Sequence, residues 1–113
     1  MRENTSYKIT SQISEDSTYA KEFIKRSLET KGLLLAGMKP IIKDKQAAIA
    51  VAEAILFPIY GEENILKQRP YQVYKTELYW VITGTLPEGY KGGVFEIAID
   101  ATDARVIGLT HGK

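Results

Sequence analysis

Residues 79–100 read YWVITGTLPEGYKGGVFEIAID, in which a glycine-rich loop separates two segments with a two-residue repeat. With Leu78, which directly precedes the quoted stretch, the first segment carries Trp80 and Ile82 on one face, and the second carries Phe95, Ile97 and Ile99. This repeat is typical of strands that rest one face on a core and keep the other mostly in water. The stretch therefore predicts an antiparallel pair of strands.

The same texture extends in both directions along the chain. Segments rich in Tyr, Val, Ile and Thr predict four strands, over residues 71–76, 78–86, 94–100 and 105–111. Because the connections are short, we expect an antiparallel meander. Two helices are predicted ahead of the strands, over 14–32 and 44–61. Helices followed by a sheet place the chain in the α+β class.

The two predicted helices have recognisable start and stop residues. Ser14 or Ser17 suits the N-cap of the first helix, and Asp44 suits that of the second. Pro58 should kink or end the last turn of the second helix, and Gly61 should stop it. The apolar stripe of this helix is predicted at Ala48, Val51, Ala52, Ile55 and Ile59.

The composition is that of a folded protein without a strong charge bias. The chain has 113 residues, of which 44% are hydrophobic, and its net charge is +1. This balance gives no support for nucleic-acid binding, which normally needs a clear positive excess. The absence of cysteine excludes thiolate metal sites and cysteine nucleophiles. We expect a single domain over 1–113, in which 1–13 form a polar N-terminal arm.

Targeting signals are also missing from the sequence. No run approaches the ~18 apolar residues of a membrane helix, and the first residues lack the apolar region of a secretory signal. We therefore expect no membrane association and a cytoplasmic location, or a periplasmic one if a natural leader was removed.

Two loops are candidates for ligand binding. The GYKGG segment at 89–93 lacks both the GK[ST] sequence and the following helix of a phosphate-binding loop. Gly89, Gly92 and Gly93 are therefore interpreted as hairpin residues with unusual backbone angles. The DATDAR segment at 100–105 lacks the spacing of a calcium loop and predicts a turn, in which Ala104 stands where glycine is common.

Catalytic side chains form no recognisable set. His111 is the only histidine, and near the chain end we expect it to be solvated. Glu53 could work with Glu96 or Asp100 as a pair of carboxylates, but no spacing distinguishes them from other acidic residues. We therefore expect no enzyme activity, no cofactor and no metal.

Tyrosines dominate the predicted sheet half, at Tyr71, Tyr74, Tyr79 and Tyr90. Partial exposure of tyrosine over a sheet edge is ordinary. Tyrosines beside Arg69, Lys75 and Lys91 are also typical of a protein-binding surface. Both interpretations stay open.

The runs AEAILFPIYGEENILKQRPY, YWVITGTLP, GGVFEIAID and THGK follow one another between residues 40 and 113. In these motifs the chain resembles the immunity proteins with a nuclear-transport-factor-2-like (cystatin-like) fold, which are encoded beside bacterial polymorphic toxins. It departs from them at Ala104, where glycine is expected. The resemblance implies a helix packed across a curved antiparallel sheet, and a protein that occludes a cognate toxin without catalysis.

With such a partner, the predicted toxin contacts are Tyr74, Glu88, Tyr90 and Lys91. The toxin's activity and the oligomeric state stay open. Two other classes remain possible. A PepSY-like peptidase inhibitor or regulatory module has a similar alternation around FEIAIDATDARVIGL. A small-molecule enzyme on a cystatin-like fold would need an open interior pocket, and not one filled by Trp80 and Phe95.

Overall fold

The computed structural model describes residues 11–30 and 39–112, which belong to two units divided after residue 34. The described part of the first unit holds one helix, α1, Thr18–Glu29, which is shorter than predicted. Ser17 occupies its N-cap position without a side-chain cap hydrogen bond. The Asp16 carboxylate instead accepts the backbone N–H of Thr18 at 2.9 Å, and this hydrogen bond lowers the pKa of Asp16. The single domain expected over 1–113 stays a prediction, and most of the predicted arm lies outside the described residues.

The second unit begins its regular structure with α2, Lys45–Tyr60. The N-cap prediction is confirmed, since Asp44 Oδ1 accepts the N–H of Ala47 at 2.8 Å. Pro58 lies inside the last turn, and the helix stops at Gly61, whose φ is 94°. The stop suits glycine because other residues avoid positive φ.

The buried line of α2 follows a spacing of four residues through Ala48, Ala52 and Leu56. Ile59 was predicted to belong to the buried stripe, and this is wrong, because its side chain is 53% exposed. A line continued at a spacing of four reaches Tyr60, which is half-buried, and Ile59 therefore lies to one side of it.

A short helix, α3, Glu62–Leu66, follows at once and buries Ile65. Four strands follow within the described residues: β1 Gln72–Lys75, β2 Tyr79–Thr83, β3 Phe95–Asp100 and β4 Val106–His111. They form one sheet in the order β1-β2-β3-β4 with all neighbours antiparallel, which confirms the predicted meander and the α+β class. A register shift at Ala98/Ile99 opposite β4 is an irregularity of the kind that bends a strand.

Leu78 was expected on the buried face, and this prediction is wrong. It lies at the tip of the β1–β2 hairpin, where Thr76 and Tyr79 close the turn through their backbones at 2.9 Å, and its side chain is exposed. Because Leu78 precedes β2, the alternation of the strand does not direct it inwards.

The core lies between α2 and one face of the sheet. The fully buried side chains of the sheet are Ile82, Phe95, Ile97 and Ile99, and those of α2 pack in the same cluster. Trp80 is also buried, and its indole N–H donates to the backbone C=O of Ile42 at 3.0 Å. The tryptophan therefore fastens the segment before α2 to the sheet.

The β3–β4 connection is the turn that the sequence predicts. Asp100 and Arg105 close it, and the carboxylates of Asp100 and Asp103 accept the backbone N–H groups of Thr102 and Arg105 at 2.8 and 3.0 Å. Ala104 has φ of 67°, so an alanine occupies a left-handed position that favours glycine.

Candidate functional site: a cleft beside the 84–94 loop

A cleft of about 310 Å³ opens where four parts of the second unit meet. The ends of α2 and β4, α3 with the residues after it, and the 84–94 loop between β2 and β3 surround this cleft. We call it the loop cleft. Its lining residues are Tyr60, Asn64, Lys67, Gln68, Leu86, Pro87, Tyr90, Lys91, Gly93 and His111.

Gln68 is the buried polar residue of the loop cleft and connects its walls. Its Oε1 accepts the backbone N–H of Phe95 at 3.0 Å, and its Nε2 donates to the C=O of Asn64 at 3.1 Å. The same Nε2 lies 3.2 Å from Nε2 of His111, and the backbone C=O of Gln68 accepts the N–H of Thr85 at 2.8 Å. One side chain thus joins α3, β3 and β4, while its backbone holds the start of the loop.

The hydrogen bonds of Gln68 assign the tautomer of His111. Because the N–H of Phe95 only donates, the amide atom facing it is the oxygen, and the amide nitrogen faces His111. That nitrogen only donates, so Nε2 of His111 accepts. The imidazole proton is then on Nδ1, which donates to the C=O of Gly112 at 2.9 Å. The expectation of a solvated His111 is therefore wrong, because the ring is half-buried and held on both sides.

Gly84 allows Gln68 to sit this close to the loop. A Cβ at Gly84 would overlap Oε1 of Gln68 and lie 2.8 Å from its Cβ. The glycine is therefore needed for a close approach. Within the loop, Gly89 and Gly92 have φ of 83° and 108°, as predicted, whereas Gly93 does not have a positive φ.

Aromatic and basic side chains form the accessible walls of the cleft. The ring of Tyr60 lies against that of His111, with centroids 4.8 Å apart. Lys67 Nζ lies 5.0 Å from the centre of the Tyr90 ring, which is 53% exposed. An ammonium over a ring face is stabilising, and it holds Lys67 towards the loop.

The four predicted contact residues do not share one site. Tyr90 and Lys91 line the loop cleft, and Glu88 is exposed in the same loop without lining it. Tyr74 is exposed on β1, paired with Val81 of β2, and does not line the cleft. Their roles as contacts stay predictions. The sequence did not point to Tyr60, Lys67 or Gln68 as site residues, although Gln68 belongs to the QRPY motif.

The outward face of the sheet offers a second, shallower surface. Tyr74, Val81, Ala98 and Gly108 are paired in a row across the four strands. A hollow of about 270 Å³ lies over the last three of them. The middle of this face carries small or apolar residues, and no Lys or Arg lines the hollow, in contrast to the loop cleft.

Glu53 of α2 forms hydrogen bonds with two residues close to β1 in sequence. Its Oε2 accepts from Arg69 at 2.6 Å and from the hydroxyl of Tyr71 at 2.7 Å. Burial of Tyr71, and then its hydrogen bond to Glu53, raise the pKa of Tyr71 to about 12. The carboxylate of Glu96 accepts a hydrogen bond from the hydroxyl of Thr110. That of Asp100 accepts from the backbone N–H of Thr102 in the β3–β4 turn, so these carboxylates have separate structural partners.

The described part of the chain offers no candidate metal site and no candidate membrane-spanning helix. Over residues 11–30 and 39–112, no cluster of three or more His, Asp or Glu side chains could hold a metal ion. No helix in these ranges is both long enough and apolar enough to cross a membrane.

Comparison with known proteins places these features in a family. The sequence model of the NTF2 fold immunity proteins matches residues 47–113. The uncharacterized protein YhhH of Escherichia coli K12 is 31% identical over 91 residues, which are 80% of this chain and 70% of YhhH. The uncharacterized protein YbbC of the same strain is 32% identical over 77 residues, 67% of this chain and 63% of YbbC. No solved structure matches the chain. The α2–β4 architecture agrees with the fold that the family name states, and the chain belongs to the NTF2 fold immunity protein family.

Proposed function

We propose that the chain binds a cognate bacterial toxin and neutralises it by covering the toxin's active site or substrate path, with no catalysis of its own. The observation that carries this proposal is the family match over 47–113, which includes every residue of the loop cleft. The specific toxin remains part of the proposal, as does the cytoplasmic location predicted from the sequence.

The loop cleft is the surface that we assign to the toxin. A loop held by a rigid scaffold is a common place for binding, because its ordering costs little further entropy when the partner arrives. Here the N–H of Thr85, at the start of the loop, donates to the C=O of Gln68. The turn within the loop is closed by the N–H of Tyr90, which donates to the C=O of Pro87 at 3.0 Å. Exposed tyrosine beside apolar side chains suits the centre of a protein interface, and the lysines suit its polar rim.

The other two classes have weaker support. The interior between α2 and the sheet is filled by Trp80, Phe95 and aliphatic side chains, which argues against the small-molecule enzyme with an interior pocket. The family match is to immunity proteins and lends no weight to a PepSY-like module.

Co-expression tests the proposal. The toxin domain encoded by the neighbouring gene is induced in a bacterial host with or without the chain, and growth is followed together with co-purification of an inactivated toxin. We expect the chain to restore growth and to co-purify with the toxin. Unchanged killing, with no co-purification of a folded chain, would refute the proposed function.

Variants locate the surface. Tyr90→Ala and Lys91→Glu should leave folding intact and weaken toxin capture, because both side chains are exposed in the cleft. Lys45→Glu is the matched control, since it is exposed at the first turn of α2, about 22 Å along the helix axis from Tyr60. If both cleft variants still protect the toxin-expressing host fully, the interface with the toxin lies elsewhere on the chain.

A further inference from the structure

The loop cleft has a one-sided charge. It is lined by Lys67 and Lys91, and no Asp or Glu lines it. Arg69 and Glu53 form the only ion pair among the described residues whose nitrogen and oxygen atoms lie within 4 Å of each other. Neither residue lines the cleft. Neither lysine of the cleft is therefore paired with a carboxylate of the described chain.

The position of Lys67 strengthens this observation. Glu63 of α3 lies four residues before Lys67, the C-cap of that helix, and opposite charges at this spacing often pair. No such pair forms, and the ammonium instead lies over the ring of Tyr90. Lys67 is thus held towards the cleft with hydrogen-bond donors that the ring does not use.

The inner polar groups of the cleft are already satisfied. The Oε1 atom of Gln68 accepts the N–H of Phe95, and its Nε2 donates to Asn64 and His111. No buried side-chain N or O atom in the described residues lacks a partner. The charged donors that the walls offer to an incoming group are the ammonium groups of Lys67 and Lys91. A ligand that accepts hydrogen bonds and carries negative charge complements this arrangement.

Size and rim limit what that ligand is. A volume of about 310 Å³ lies at the lower end of the range for small-molecule sites, and suits one or two side chains. Leu86 and Pro87 add apolar contact beside the lysines. An acidic side chain with an apolar neighbour, presented by a protein, matches both features.

We propose that the loop cleft is the receptor for an aspartate or glutamate side chain of the toxin, whose carboxylate binds the ammonium groups of Lys67 and Lys91. This proposal rests on the proposed function and names the chemistry of the partner at that site.

Calorimetric titration of the inactivated toxin domain into the folded chain tests the proposal. Lys67→Glu and Lys91→Glu should each weaken binding at least tenfold, and wild-type affinity should fall as salt rises from 50 to 500 mM. Lys45→Glu should change affinity by less than twofold. Urea unfolding of each variant verifies that the fold is kept.

The outcomes separate the two proposals. If the wild-type chain does not bind the toxin domain, the proposed function fails. If it binds and both reversals stay within threefold of wild type, only the acidic-contact proposal is overturned. An Asp→Lys or Glu→Lys change in the toxin that restores binding to Lys67→Glu would support the contact directly.

A titration without toxin distinguishes a protein carboxylate from a free anion. Amide NMR shifts are followed with acetyl-Gly-Glu-Leu-Gly-amide, with its glutamine counterpart, and with inorganic phosphate. We expect larger shifts at Tyr90, Gly93 and His111 for the glutamate peptide than for either of the others. Equal shifts for the two peptides, or larger shifts with phosphate, would overturn the proposal.

Discussion

Replacing Gln68 with methionine removes the hydrogen bonds that join the walls of the loop cleft while keeping nearly the same side-chain volume. The Oε1 atom of Gln68 is the acceptor for the N–H of Phe95, which lies in the core at the start of β3. Methionine cannot replace this acceptor, so a buried backbone donor is left without a partner.

The magnitude follows from the surroundings of each bond. An unsatisfied buried N–H costs about 1–3 kcal/mol. The lost contacts to Asn64 and His111 cost less, because Asn64 is exposed and His111 is half-buried, so that water can substitute. The greater apolar character of methionine recovers less than about 1 kcal/mol. We therefore expect Gln68→Met to lower the free energy of unfolding by about 2 kcal/mol.

Urea unfolding followed by tryptophan fluorescence measures this change, since Trp80 is the single tryptophan and lies in the core. With a slope of roughly 1–2 kcal/mol/M, the midpoint should fall by about 1–2 M. Gln72→Met on exposed β1 makes the same chemical change and should stay within about 0.5 kcal/mol of wild type. A loss at Gln68 no larger than that at Gln72 would refute the role of the amide.

Three further changes test separate parts of the fold. Trp80→Ala should lower the free energy of unfolding by about 3–5 kcal/mol, because it empties a core position and removes the bond to Ile42; an unchanged melting temperature would contradict the core assignment. Ala104→Gly should raise the free energy of unfolding by up to about 1 kcal/mol, because it relieves an alanine in the left-handed region. Ala101→Gly, at a buried site, should lower it. Equal losses in urea unfolding at both positions would contradict backbone strain at Ala104. The pKa of Tyr71, raised from 10.0 to about 12, means that the folded chain holds a proton which the unfolded chain releases, so stability should fall as pH rises through this window. Tyr71→Phe should flatten that fall in unfolding curves measured at pH 9 to 12, and an unaltered pH dependence would argue against the shift.

The sequence predicted what short-range chemistry determines. Asp44 and Gly61 bound α2 through a side-chain cap and a positive φ, both of which depend on neighbouring residues. The alternation of β3 correctly indicated its buried face, and Ala104, which stands where glycine is common in such turns, has a positive φ. The errors arose at element ends. Leu78 is exposed because the hairpin turn extends to it.

The loop cleft could not be predicted in the same way. Gln68 and His111 are 43 residues apart, and they meet because the register of β3 and β4 places His111 opposite Phe95. No local pattern encodes that register together with the position of α3. The exposure of Tyr90 and Lys91 could be predicted because a glycine-rich loop between strands exposes its tip, which is a local property; their role as toxin contacts stays a prediction.

Amide hydrogen exchange of the chain, alone and in complex with the inactivated toxin domain, shows whether the toxin covers the loop cleft. If the loop cleft is the toxin contact, complex formation slows exchange in residues 84–94 and at the adjoining α3, Glu62–Leu66, with little change in β1, Gln72–Lys75. A complex that forms with unchanged exchange in the 84–94 loop, and with slowed exchange confined to the outward face of the sheet, would contradict it.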